Sequence, residues 1–234
     1  MIMKRSDIFW TVLSVAAAAV AQPVSAQRIE SPYNFLDHGQ FVGAWAGYVS
    51  AADGRIGIGP EPAPIAGVAW ALRVSGPFSV NAEVGYMPST RTVRDTVFVA
   101  ADSMYRSIGE ADVKLLTIMG NLRFSLTGPR TWHGLQPFAI AGAGVAVDLA
   151  SGSAVEADLT ANQRFDYGTS FAGQLGAGVD WFPSSRVSLR VDARDMFWKL
   201  PMPEAFRFTE QGARFPGSEW EQNFALAAGM SIHF

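Results

Sequence analysis

Asn223-Phe-Ala-Leu-Ala-Ala-Gly-Met-Ser-Ile-His-Phe234 alternates with a period of two. Phe224, Leu226, Ala228, Met230, Ile232 and Phe234 fall on one face, and Asn223, Ala225, Ala227, Gly229, Ser231 and His233 on the other. Successive side chains of a strand point to opposite sides, so this is a β-strand with one wholly apolar face and one small or polar face. A soluble sandwich turns such an apolar face into its core, and a membrane barrel turns it toward lipid. Repetition and context decide between the two.

The pattern recurs. In Val187-Ser-Leu-Arg-Val-Asp-Ala-Arg194 the apolar positions Val187, Leu189, Val191 and Ala193 oppose Ser188, Arg190, Asp192 and Arg194. Phe78, Val80, Ala82, Val84 and Tyr86 oppose Ser79, Asn81, Glu83 and Gly85. Leu116, Ile118, Leu122 and Phe124 oppose Thr117, Met119, Asn121 and Arg123. Leu175, Ala177, Val179 and Trp181 oppose Gln174, Gly176, Gly178 and Asp180. Residues 65–74, 39–50 and 136–149 are also strand-like, but glycine and alanine occupy both faces of the last two, whose orientation the pattern leaves open. About ten residues at about 3.3 Å each, tilted about 45°, rise about 23 Å, close to the apolar belt of a transmembrane barrel.

Connections alternate in length. Residues 75–77, 127–134 and 183–186 are short, whereas 51–64, 88–110, 150–167 and 196–220 are long. Three short turns and four long loops join eight strands of an up-and-down barrel, with short turns and both termini on the periplasmic side. Lys4 and Arg5, the apolar run 8–21 and the small-residue site Val24-Ser-Ala26 read as a cleaved signal peptide over residues 1–26, too short for a spanning helix. Residues 27–38 are then a short periplasmic segment and 39–234 the barrel. A secreted barrel of lipocalin type is the soluble alternative. No apolar run of 18 residues follows Ala26.

Without its signal the chain carries 16 basic and 20 acidic side chains, a balance that speaks against a nucleic-acid partner. The absence of cysteine excludes disulfides, thiolate zinc sites and thiol nucleophiles. His38, His133 and His233 are far apart in sequence and sit near the periplasmic rim, so neither metal-ligand spacing nor a serine–histidine pair on the outer side is expected, and no cofactor is implied. Gly39, Gly43 and Gly47 share a strand face and are not a helix-dimer motif.

The inward charges are expected to be Arg73, Glu83, Arg123, Asp180, Arg190, Asp192 and Arg194. Eight strands leave a lumen just wide enough for side chains to fill, so mixed charges there read as a paired plug. Phe197, Trp198, Phe206 and Phe208 make loop 196–220 the most apolar of the outer loops and a candidate contact surface. Packing on the barrel lip is the alternative. Phe78, Phe124, Trp132, Trp181, Phe182 and Phe234 are expected in one interfacial girdle, and Tyr86, Phe197, Trp198 and Trp220 in the other.

The ending Ala227-Ala-Gly229-Met-Ser-Ile232-His-Phe234 resembles the C-terminal signal of outer-membrane barrels. With Gly176-Ala-Gly-Val-Asp-Trp-Phe182 and the hairpin spacing, it makes the chain from about residue 39 similar to the small bacterial outer-membrane barrels, such as the transmembrane domain of outer membrane protein A and outer membrane protein X. The resemblance implies an all-β, eight-stranded antiparallel barrel in the outer membrane, in contact with lipid and lipopolysaccharide. It also implies that Gly229, Ile232 and Phe234 are read by the barrel-assembly machinery. It supplies no catalytic residue. The expected role is structural, or surface interaction with an unknown extracellular ligand through the loops. A lipid-modifying enzyme using Glu83, Asp192 or Asp195, and a narrow passive pore, are the alternatives.

Overall fold

A computed structural model describes residues 31–95, 105–150, 152–207 and 214–234. The expected signal peptide, residues 27–30 and parts of three loops, Phe208 among them, lie outside the described residues. The barrel belongs to the compact unit Pro32–Phe234.

Eight strands form its wall: β2 (Gln40–Ser50), β3 (Ala63–Ser75), β4 (Phe78–Asp95), β5 (Arg106–Ser125), β7 (Leu135–Asp148), β8 (Thr169–Ser184), β9 (Val187–Pro201) and β10 (Ser218–His233). Each pairs antiparallel with the next, and β10 returns to β2, with Phe224 opposite Ser50 and His233 opposite Phe41. Main-chain bonds between Gln40 and Phe234 close the seam in both directions, at 3.2 and 3.0 Å. Closure leaves no sheet edge along the seam, as lipid requires, since an unpaired backbone group there costs several kcal/mol.

The alternation read from the sequence is the alternation of the wall. On β10, Phe224, Leu226, Met230 and Ile232 are exposed, while Asn223, Ala225, Ala227 and Ser231 are buried. Apolar side chains exposed on the outside, with arginine and carboxylates buried inside, are the inverse of a soluble barrel. The two strands that the pattern left open take their orientation from their neighbours' register. Phe41, Trp45, Val49, Phe138 and Ile140 point inward, and Val42, Tyr48, Ala139 and Val145 outward.

Three connections differ from expectation. Residues 88–95 and 106–110 continue β4 and β5 as a hairpin standing above the other strands. Residues 196–201 and 218–220 likewise extend β9 and β10. At the turn end, β1 (Tyr33–Phe35) pairs with β6 (Arg130–Trp132), so the turn after β5 and the segment before β2 form a small added ribbon. His133 adopts φ 50°, a left-handed conformation at the corner leaving β6.

At the loop end the connections lock together. Loop 51–62 lies on the tall hairpin through Glu61 N–H to Thr90 O at 2.8 Å and Ser89 Oγ to Glu61 O at 2.6 Å. Loop 149–168 carries a one-turn 3-10 helix, Ala154–Glu156, and reaches the same hairpin by the Arg91–Glu156 ion pair at 2.7 Å. Ala205 N–H donates to Asn162 O at 3.0 Å, tying the last loop to it.

Candidate functional site

The lumen has two layers. Toward the turn end, four strands send charged side chains across it. Asp180 on β8 takes Arg123 Nη2 on one oxygen at 2.5 Å and Arg190 Nε on the other at 3.2 Å. Arg190 Nη1 stands 3.6 Å from Glu83 on β4, and Glu83 also takes Arg194 Nη1 at 2.8 Å. Arg194 closes the chain on Asp192, two residues before it on β9. Three arginines meet three carboxylates, each 4% exposed or less. Their charges cancel, which is what makes their burial tolerable, because an isolated ion in such a place is penalised by several kcal/mol.

Neutral groups complete the layer. Gln174 and Asn121 donate to Glu83 Oε2 at 3.0 and 3.3 Å, and Asn81 to Oε1 at 3.4 Å. The guanidinium of Arg123 lies 3.9 Å over the Phe138 ring, and that of Arg194 4.7 Å over Trp45. The indole fits because the positions beside it on neighbouring strands are glycines. A Cβ on Gly67 would lie 2.7 Å from the ring, one on Gly85 3.2 Å from it, and one on Gly229 2.9 Å from Trp45 Cβ.

Toward the loop end the lumen is apolar. Val49, Ile65, Met87, Val113, Leu115, Met119, Met196, Trp198 and Leu200 fill it, and Ile56, Ile58, Phe165, Met202 and Phe206 descend from the loops to cover it. Trp198 and Phe206 are each 1% exposed. Their expected place on an outer contact surface is therefore corrected, as is the place of Trp198 in a girdle. Trp198 occupies an inward position of β9 beyond Arg194 and Met196, where apolar area leaves water by facing the lumen plug. Phe197 is on the outer wall with Trp220, ring centroids 6.0 Å apart. Phe208 lies outside the described residues.

The charges sort as follows. Glu83, Arg123, Asp180, Arg190, Asp192 and Arg194 are joined. Arg73 is not, because it sits at the turn end and donates to Leu36 O at 2.9 Å. Glu83 and Asp192 are committed to arginines, whereas Asp195 lies half-buried on the outer wall with Gln222 at 3.2 Å, so the three carboxylates do not converge. His133 packs on Trp132, and His38 borders a cavity of about 30 Å³ that also touches Arg73, Asp180 and His233. That volume holds about two waters. His233 Nε2 lies 2.8 Å from Ser188 Oγ, a pair the sequence did not announce. Among the described residues no carboxylate bonds this histidine, and the oxygens of nearby Asp180 go to Arg123 and Arg190. Parity already puts Gln174 on the inward face, whereas the lumen roles of Phe41, Phe138 and Trp45 were missed. Their only signal was register against the neighbouring strands.

Of the C-terminal residues, Gly229 faces the lumen beside Trp45, and Ile232 and Phe234 lie exposed on the outer wall.

No protein-family model and no curated protein matches the chain. Among solved structures, outer membrane protein OprG from Pseudomonas aeruginosa is similar with TM-score 0.52 at 14% identity, over 86% of this chain and 99% of that one. Neisserial surface protein A is similar with TM-score 0.51 at 16% identity, over 84% and 97%. At such identity the likeness is one of fold. The chain has the closed eight-stranded fold of the small bacterial outer-membrane β-barrels, and its apolar outer wall is the surface that fold turns to a bilayer.

Proposed function

We propose that this protein is a sealed, non-conducting barrel of the outer membrane that serves as a structural or surface-interaction protein, its interlocked loops forming the face presented outside the cell. One observation carries the reading: the neutral chain Arg123–Asp180–Arg190–Glu83–Arg194–Asp192 ties β4, β5, β8 and β9 together across the lumen. An ion entering would have to break buried pairs whose members then stand uncompensated. The apolar layer above it supports the same reading.

In this proposal the outer wall meets lipid and lipopolysaccharide, with the exposed Lys114 and Lys199 available to phosphate groups near the loop end. Gly229, Ile232 and Phe234 serve recognition by the barrel-assembly machinery during insertion. An extracellular partner would be met by polar loop surface, since Trp198 and Phe206 are turned inward.

Planar-bilayer recording of the refolded protein tests the seal. The expected trace is silent at ordinary voltages, and regular ion-conducting steps would overturn the proposal. Lipid mass spectrometry of cells with and without the protein separates this role from a lipid-modifying one, and a protein-dependent mass change would count against it.

A further inference from the structure

The ribbon at the turn end is a part of the molecule that an eight-stranded wall does not require. β1 (Tyr33–Phe35) pairs with β6 (Arg130–Trp132), and two more main-chain bonds hold its ends, Leu36 N–H to Pro129 O and His133 N–H to Pro32 O, both at 2.9 Å. Trp132 is also opposite Leu135 at the foot of β7, and Leu135 is opposite Trp181 on β8. Residues directly opposite each other share a face of the sheet. Tyr33, Trp132, Leu135 and Trp181 therefore form one row on the outside of the barrel, with Phe35 and Arg130 in a second row beside it.

The other face of the ribbon turns to the lumen. Thr131 is buried, and Leu36 is buried against the small cavity that Arg73, Arg123 and His233 also border. The ribbon thus has the same inside and outside as the wall. On its outer face Tyr33 is 48%, Phe35 59% and Trp132 47% exposed, which matches Trp181 at 49% and Phe78 at 42% on the wall itself. A cluster of exposed aromatics marks a contact surface, and this one continues the surface that the fold turns to a bilayer.

The backbone sets its depth. β1 ends the strand order among the described residues, and an edge strand does not lie in hydrocarbon, where backbone groups find no partner. At the headgroup level water and phosphate oxygens are at hand. Tyrosine and tryptophan, each a ring with a polar handle, concentrate in that layer. Arg130, exposed opposite Phe35, brings a guanidinium to the same place, and its planar fork matches a phosphate group. Asp37 beyond Phe35 and Arg186 in the turn before β9 are also exposed at this end.

We propose that residues 32–36 and 129–133 form a surface that binds phospholipid headgroups of the periplasmic leaflet, with Tyr33, Phe35 and Trp132 at the headgroup boundary and Arg130 on a lipid phosphate. The segment before β2 is then part of the membrane-bound surface rather than a free periplasmic leader. The inference rests on the outer-membrane placement of the barrel and is independent of whether the lumen conducts.

The chain has no cysteine, so single nitroxide labels can be introduced cleanly. Phe35→Cys, Val191→Cys on the lipid-facing wall and Ser185→Cys in a short turn are labelled in the full chain refolded into vesicles of phosphatidylcholine and phosphatidylglycerol. Heat-modifiability on gels reports the fold of each variant. Collisions of each label with oxygen, which partitions into lipid, are compared with collisions with a water-soluble nickel chelate. The Phe35 label is expected to favour oxygen, with a ratio between those of Val191 and Ser185. A Phe35 label as open to nickel as Ser185, while Val191 reads lipid, would overturn this proposal alone and leave the face to a periplasmic protein. A Val191 label open to nickel would overturn the bilayer placement of the wall as well. For the phosphate contact, Arg130→Gln should bring an earlier urea midpoint in these vesicles and an unchanged one in dodecyl maltoside micelles, which carry no phosphate. Equal shifts in the two media, or no shift in the vesicles, would overturn that contact.

Discussion

Glu83 shows at one residue how the lumen is held. Its two oxygens take Arg190, Arg194, Gln174, Asn121 and Asn81, so Glu83→Gln leaves two guanidinium groups short of a counter-charge. The expected loss is about 3–5 kcal/mol, read as an earlier midpoint when the refolded barrel is unfolded by urea in lipid vesicles. Arg73→Gln is the control, because Arg73 makes a hydrogen bond to Leu36 O and joins no ion pair among the described residues. It should cost about 1 kcal/mol. Equal losses in the two variants would mean that the buried chain adds nothing beyond ordinary polar contacts.

Strands carry a different kind of constraint. The row Gly229, Trp45, Gly67, Gly85 runs across β10, β2, β3 and β4 at one level, each residue opposite the next. Glycine is needed there for space, since a Cβ on Gly67 or Gly85 would meet the indole and one on Gly229 would meet Trp45 Cβ and the Ala44 carbonyl. Gly67→Val should therefore overpack the layer and destabilise by about 1–3 kcal/mol in the same urea assay. A main-chain change on β2 acts differently. Ala46, between Ala228 and Ala66, faces lipid in a strand with partners on both sides. Ala46→Pro removes a ladder donor where no water can replace it, so the variant should fail to give the compact heat-modifiable band. A normal band would show that the seam tolerates a missing bond.

For the whole molecule, the two layers predict that one broken seal is not enough. Glu83→Ala with Arg194→Ala opens the charged layer but leaves Trp198 and Phe206 above it, and Trp198→Ala with Phe206→Ala does the reverse. Each pair should remain silent in planar bilayers, and conductance should appear only when all four changes are combined. The apolar pair should also destabilise the barrel, because each truncation of a buried aromatic costs about 3–5 kcal/mol. Steps from either pair alone would show that one layer is the only barrier.

Period-two alternation on β10, β9, β8, β5 and β4 determined the strands, their faces and the closed barrel, because lipid on one side and a narrow lumen on the other demand opposite chemistry at alternate residues. Orientation of β2 and β7 was not legible, since small residues occupy both of their faces and carry no preference that sequence can express. Register against β10, β3, β5 and β8 decided it. The charged positions of the lumen could be named from parity alone, yet which of them meet, and that Arg73 stands apart, depended on heights along the barrel. Loop aromatics were the most misleading, for Trp198 and Phe206 look exposed in a linear chain and are 1% exposed in the folded one. Apolar area goes wherever water can be excluded, and the mouth of the lumen exists only once eight strands have closed around it.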